Sequence, residues 1–149
     1  MSDFASTTPF QLVRRLAAAG QNSPSAYFLI AATSATESVQ VDLAAEVEVQ
    51  IGGYLQCLAA ADLDPERLEH AFGSEIHWPN LLITVDHWVP NVIDWFDRNV
   101  VIVIGAGAVL FLANPRVAER VLRAAPNLRN RLTDILTIEP DPAFGGFLA

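Results

Sequence analysis

Residues 27–38 read YFLIAATSATES, and this stretch decides how the fold is interpreted. The apolar residues 27–30 are typical of a short buried strand, and the small residues after them indicate a loop. A helix is expected to begin at residues 36–38 and to carry one apolar face formed by Val39, Leu43, Val47 and Ile51. The stretch therefore predicts a strand, a tight loop of small residues and a helix.

The loop fits the frame of a phosphate-binding P-loop, whose pattern is G-x-x-x-x-G-K-[ST]. Ala31 and Thr36 stand at the two glycine positions, Glu37 stands at the lysine position, and Ser38 keeps the final hydroxyl. A carboxylate at the lysine position would repel phosphate by on the order of several kcal/mol in a partly dry site. The Cβ atoms of Ala31 and Thr36 would obstruct close approach of the backbone to a ligand. Glu37 also suits the positive end of a helix, and both interpretations can hold together.

Composition limits the classes of partner. The chain of 149 residues suits one domain, and 52% of its residues are hydrophobic, which is ample for a core. The net charge of −8 argues against nucleic acid and anionic membrane surfaces as partners. All nine basic residues are Arg, so no lysine exists to reach a phosphate.

The compartment follows from cysteine usage and hydropathy. Cys57 is the single cysteine, so no internal disulfide can form, and we expect it to be inert packing in an apolar helix. Residues 1–4 lack the basic start and apolar core of a signal peptide, which favours a cytoplasmic location. The longest apolar run, residues 100–113, is shorter than the roughly 20 residues of a membrane span. We therefore expect a buried element there and no membrane segment.

Helical and strand patterns alternate along the rest of the chain. Helices are expected over 10–20, 64–72, 90–96, 115–122 and part of 128–135, and strands over 27–32, 81–86, 109–113 and 136–138. Three segments stay open: 47–51 as helix or strand, 54–61 as a helix extension or a second helix, and 100–105 as helix or strand. This alternation predicts a three-layer α/β domain with a mainly parallel sheet and helices on both faces. The domain would span residues 1–140, of which residues 1–9 would form a loose lead-in. Residues 141–149 would form a C-terminal tail.

The order of these motifs resembles the AAA+/STAND division of P-loop ATPases over residues 10–140. Residues 27–38 look like a degenerate first nucleotide motif, and LLITVD at 81–86 resembles the second motif, a strand ending in Asp86. His87 stands where this group usually has Glu. Residues 109–114, VLFLAN, resemble the strand that ends in a polar sensor, and PNLRNR at 126–131 resembles the "pnLxxR" segment.

The resemblance implies an inactive ATPase. In working members the lysine and glycine-rich loop hold phosphates, the Asp holds Mg²⁺ and the next acid activates water. With Glu37 and His87 in those places, no catalytic residue, cofactor or metal is expected. No helical lid domain follows residue 140, which is a further departure. The chain is similar to inactive STAND modules, which implies an interaction or scaffold role in a bacterial defence, signalling or secretion assembly.

Candidate partner-binding residues are aromatic and basic. Trp78 and Trp88 could be exposed anchors for a protein partner, although packing in the core is the commoner role of tryptophan. Arg116, Arg120 and Arg123 form an i, i+4, i+7 stripe that could contact an acidic protein or a second copy of the chain. A solvated helix face is the alternative for this stripe.

Two other functions remain open at this stage. One is an enzyme of unrecognised type that uses Asp86, His87 and His77, although one acid beside one His gives no metal-ligand spacing. Capping the helix that begins near Pro90 is the commoner role for Asp86. The other is a nucleotide-binding switch with a non-standard P-loop, in which an Arg contacts the phosphates.

Overall fold

The computed structural model describes residues 4–20, 24–73, 80–105 and 107–142. Within these residues six parallel strands form one sheet in the order β1-β6-β2-β5-β4-β3. The strands are β1 (Ser6–Thr7), β2 (Ser25–Ile30), β3 (Gln56–Ala59), β4 (Asn80–Val85), β5 (Ala108–Ala113) and β6 (Asp134–Ile138). The helices are α1 (Pro9–Ala19), α2 (Thr36–Gln50), α3 (Pro65–Gly73), α4 (Pro90–Arg98), α5 (Val100–Ile104), α6 (Pro115–Ala124) and α7 (Pro126–Arg131).

Helices cover both faces of the sheet. Alternate residues of β2 point to opposite sides, so that Tyr27 and Leu29 pack with α1 and α2 while Phe28 and Ile30 pack with α3 to α7. The chain crosses the sheet in one direction from β1 to β3 and in the reverse direction from β3 to β6. Because crossovers between parallel strands are right-handed, this reversal places α1 and α2 on one face and the later helices on the other. The predicted three-layer α/β architecture is confirmed.

An aromatic cluster fills the layer beneath α3 and α4. Phe28 stacks on Phe111 with ring centroids 5.9 Å apart, and Phe96 meets Phe111 edge-on at 5.5 Å. Phe72 and Trp95 extend the cluster. The indole Nε1 of Trp95 is buried without a hydrogen-bond partner among the residues that the structure describes.

Helix α2 is apolar on two sides. Val39, Leu43 and Val47 are fully buried against α1 and the sheet, as predicted from their spacing. This packing keeps the segment helical to Gln50, so the strand alternative for residues 47–51 is wrong. On the opposite side Val41 is 62% exposed and Val49 80% exposed.

Three sequence predictions need correction. Residues 54–61 do not form an α-helix: Gln56–Ala59 form edge strand β3, because Gly52, at a φ of +90°, ends α2 and the chain then pairs with β4. A 3₁₀ turn at Ala60–Asp62 follows the strand. Cys57 therefore lies in a strand, half-buried, where burial raises the pKa of its thiol. The last strand begins at Asp134 rather than at residue 136, since its first residues pair with Tyr27 and Phe28.

The predicted lead-in at residues 1–9 contains a short strand. In the predicted lead-in, Ser6 and Thr7 form β1 by pairing with Thr137 and Ile138 of β6. The apolar run at 100–113 divides into α5 and β5, which settles residues 100–104 as helix. Among the described residues, no helix is both long enough and apolar enough to span a bilayer.

The two sides of α2 should respond oppositely to truncation. Leu43→Ala should cost about 2–5 kcal/mol of unfolding free energy, because it leaves a cavity between α2 and the sheet. Val49→Ala should be neutral or stabilising, by up to about 0.7 kcal/mol, because Ala is the better helix former and the side chain is exposed. Urea denaturation followed by circular dichroism measures both. Equal destabilisation by the two substitutions would show that Val49 is covered.

Candidate functional site

The motifs predicted from sequence meet at the carboxyl ends of the central strands. Ile30 and Val85 both pair with Ala113, so β2, β5 and β4 end in one row. The residues that follow these ends are Ala31, Asn114 and Asp86. Because neighbouring strands lie about 4.8 Å apart, Asp86 is about 10 Å from Ala31 across the sheet. The chain leaves β2 toward one face and β5 toward the other, and such a reversal is where open α/β sheets bind ligands.

The loop between β2 and α2 does not form a phosphate cradle. The Ala31 N–H donates to the Ala113 carbonyl at 3.0 Å and continues the strand pairing. A 3₁₀ turn at Thr33–Ala35 follows, closed by a hydrogen bond from the Ala35 N–H to the Ala32 carbonyl at 2.8 Å. The Thr36 hydroxyl donates to the Thr33 carbonyl at 3.1 Å. The loop contains no residue with positive φ, so it lacks the alternation of left- and right-handed residues that makes an anion-binding nest.

Glu37 and Ser38 also depart from P-loop geometry. Glu37 lies exposed in the first turn of α2, where its charge complements the helix dipole. No described residue forms an ion pair or hydrogen bond with its side chain. Ser38 lies at the rim of a cavity between α2, the start of α1 and residues 140–142.

Asn114 stands at the position that resembles a sensor. Its side-chain oxygen accepts a hydrogen bond from the Val117 N–H at 3.0 Å and caps α6. The side-chain oxygen of Asn114 is therefore used to cap α6.

Asp86 and His87 follow the end of β4. Both are exposed, and no cluster of three or more His, Cys, Asp or Glu suited to a metal ion occurs among the described residues. The cap prediction for Asp86 is wrong, because the chain runs three residues further and Val89 occupies the cap position of α4 without a side-chain bond. His77 and Trp78 lie outside the described residues.

Two of the predicted partner-binding residues, Arg120 and Trp88, contact each other. The Arg120 guanidinium lies over the Trp88 ring, 4.5 Å from its centroid, and Trp88 is half-buried. Arg123 pairs with Glu119 at 2.6 Å, whereas Arg116 is exposed. Two of the three arginines in the stripe therefore interact with residues of the same domain.

A cavity that the sequence analysis missed lies beside the strand ends. It has a volume of about 590 Å³ and is lined by Ile30, Pro115 and Leu122 together with Arg123 and Arg129. The two arginines come from different helices, α6 and α7, so no local spacing could have indicated that they meet.

A second cavity, of about 860 Å³, brings together three carboxylates. The Asp141 backbone N–H donates to Asp42 at 3.0 Å, and the Asp141 carboxylate accepts from the Phe10 N–H at 2.8 Å. The first residue of the predicted tail is therefore anchored to α1 and α2. Burial raises the pKa of Asp141, and the neighbouring Glu46 raises it further.

Asp141→Asn should remove the destabilisation that comes from a partly buried carboxylate beside Glu46. The substitution keeps an acceptor for the Phe10 N–H and removes the ionisable group. Because the folded state raises the pKa of Asp141 above 3.8, the folded protein binds the proton more tightly, and stability falls as pH rises through that window. We expect a higher Tm than wild type at neutral pH and no difference below the unperturbed value. Thermal melts across this range test it, with exposed Asp62→Asn as control; a lower Tm at neutral pH would contradict it.

Comparison with known proteins supports the fold assignment. No protein-family model matches the chain, and no curated protein sequence matches it. Among solved structures, the Orc1 protein of Aeropyrum pernix in complex with DNA is similar, with a TM-score of 0.53 and 12% identity. The match covers 91% of this chain and 45% of the Orc1 chain, so the present chain spans less than half the length of that protein. The chain therefore shares its parallel α/β fold with part of that Orc1 chain.

Proposed function

We propose that this chain is an AAA+-like domain that does not hydrolyse nucleotide and works through contacts with other proteins. The observation that carries the proposal is the loop at residues 31–38. Its 3₁₀ turn is closed by its own hydrogen bonds, contains no left-handed residue and leads into Glu37. The place in a bacterial defence, signalling or secretion assembly rests on the resemblance to inactive STAND modules, and the cytoplasmic location rests on the single cysteine.

The other two motifs support the same conclusion. A P-loop ATPase needs a cation held near the phosphates and a group that activates water. Asp86 is followed by His87 rather than by a second acid, and Asn114 caps α6. These departures at the second motif, and the use of Asn114 as a helix cap, support a domain that does not hydrolyse nucleotide.

A protein partner fits the surface better than nucleic acid does. The net charge of −8 gives no general attraction to a phosphate backbone, and several of the arginines are paired with acids of the domain. DNA in the Orc1 structure is bound by a protein more than twice as long. Exposed apolar side chains on α2 and α5, such as Val49 and Val101, are the kind of surface that protein partners cover.

Nucleotide titration tests whether the domain has lost nucleotide binding and hydrolysis. Wild type should show no rise in Tm with ATP, ADP or GTP in the presence of Mg²⁺, and no release of phosphate. A true ligand at a hundredfold excess over its Kd would add about 2.7 kcal/mol of stability, which is readily visible. Glu37→Lys alone should stay unresponsive, because the loop still lacks glycine. Ala31→Gly/Thr36→Gly/Glu37→Lys, which completes the P-loop pattern with Ser38, should gain a nucleotide-dependent rise. Turnover by wild type would refute the proposal.

A second candidate function, a nucleotide-binding switch, is favoured by the cavity that holds Arg123 and Arg129. It lies beside the end of β2, where ligands of such sheets bind, and it combines apolar walls with two arginines and Glu119. Arg129 has no ion-pair partner among the described residues, whereas Arg123 is paired with Glu119.

The switch makes a different prediction from the first candidate. ADP should then raise the Tm of wild type, and Arg129→Gln should abolish the rise. Arg131→Gln is the matched control, because this neighbouring arginine of α7 is exposed and lies outside the cavity lining. A rise that both variants retain would place the ligand elsewhere.

A further inference from the structure

The outer side of α2 is an apolar stripe that the domain leaves uncovered. Val41, Ala45 and Val49 recur at i, i+4 and i+8 and lie opposite the buried residues Val39 and Val47. Val41 and Val49 are 62% and 80% exposed. Valine is a poorer helix former than alanine, so these positions gain nothing for the isolated helix.

Acidic side chains border the stripe on both sides. At 3.6 residues per turn, Glu37 and Glu48 fall along one edge, and Asp42 and Glu46 fall along the other. Helix α2 contains no basic residue at all. An apolar stripe between two acidic edges is complementary to an apolar stripe between two basic edges.

The stripe continues into the cavity of about 860 Å³ between α2, α1 and residues 140–142. Ala45 lines that cavity together with Phe10, whose ring is 46% exposed. Asp42, Glu46 and Asp141 form its polar wall, and none of the described residues that line it is basic. The cavity therefore extends the docking surface past the helix and keeps the same sign of charge.

We propose that the outer face of α2, with the adjoining cavity, binds a cationic amphipathic helix of a partner protein. The partner helix would place small and medium apolar side chains on Val41, Ala45 and Val49 and place Arg or Lys against the acidic edges. This is the helix-in-groove mode, in which anchors repeat at one helical spacing. The inference rests on the proposed interaction role and names the chemistry of the partner.

Charge favours this occupant over a second copy of the chain. Two α2 helices packed face to face would bring like charges together on both edges, which costs binding energy. The other occupant to distinguish is the chain's own segment 143–149, which reads AFGGFLA, contains no basic residue and so cannot complement the edges.

A designed peptide tests the proposal directly. The probe is a fluorescein-labelled helical peptide about as long as the 15-residue α2, with Leu and Ala at i, i+4 spacing and Arg on both flanks. We expect saturable binding to the full chain by fluorescence anisotropy. Amide shifts confined to residues 37–50 and the start of α1 should appear in two-dimensional NMR. The same peptide with Glu in place of every Arg should not bind.

Matched variants separate the stripe from general charge attraction. Val41→Ala/Val49→Ala should weaken binding at least about tenfold without loss of Tm, since Ala favours the helix. Val101→Ala/Ile102→Ala, an exposed apolar pair on α5, should bind like wild type. Glu37→Gln/Glu48→Gln should weaken binding, whereas Glu66→Gln/Glu69→Gln on α3 makes the same change of net charge and should not. Raising salt from about 0.1 to 1 M should also weaken binding, because the Debye length falls from about 10 to 3 Å.

Four results would overturn the proposal. Equal weakening by the two Glu→Gln pairs, with no effect of Val41→Ala/Val49→Ala, would show attraction to net charge alone, and amide shifts elsewhere would place the site elsewhere. A concentration-dependent dimer that Val41→Ala/Val49→Ala abolishes would make a second copy the occupant. Much tighter peptide binding after removal of residues 143–149 would make that segment the occupant. Nucleotide titration is independent of α2's outer face, so a failure of this inference and a failure of the proposed function can be told apart.

Discussion

The pairing of β2 with β5 is the constraint on which the rest of the structure depends. Six consecutive residue pairs, from Ser25–Ala108 to Ile30–Ala113, join the two central strands in parallel, and Phe28 stacks on Phe111 within this pairing. Both faces of the pair are buried by helices, so a shift of one residue would send each apolar side chain to the wrong layer. The same register fixes the row in which β2, β5 and β4 end. The positions of the strand ends where a nucleotide would bind are therefore determined by core packing and not by the ligand.

Because of this separation, a fold of this type can in principle form with or without P-loop chemistry. Burial of apolar side chains requires only that strands and helices keep their lengths and faces. Phosphate binding requires in addition a loop whose amides point outward from left-handed or glycine residues. In residues 31–38 the second requirement is unmet, since the turn uses its own carbonyls as acceptors and Thr36 bonds back to Thr33. In this loop the Ala35 N–H and the Thr36 hydroxyl both donate to carbonyls of the same turn, so neither is directed at a ligand.

The sequence predicted those features that depend on local pattern. Apolar runs located β2, β4 and β5, and the Asn-Pro and Asp-Pro pairs located the starts of α6 and α3, because each signal is contained within a few residues. Strands β1 and β3 were missed, since Ser6–Thr7 and Gln56–Ala59 are short edge strands that exist only through pairing with distant partners. Features assembled across the chain were missed for the same reason. They include the meeting of Arg123 and Arg129 in one cavity, the hydrogen bond that the Leu128 N–H donates to the Asp97 carboxylate, and the anchoring of Asp141.

The valines of α2 show where core packing stops being an explanation. Val39 and Val47 are buried, and their cost in helix propensity is offset by the apolar area that they remove from water. Val41 and Val49 bear the same propensity cost but remain in water, and the helix around them carries only acidic charges. Neither folding nor a nucleotide site accounts for apolar, β-branched residues at that spacing on the solvent side. A contact outside the domain does account for them, because it would bury the stripe and pair the acids along both of its edges.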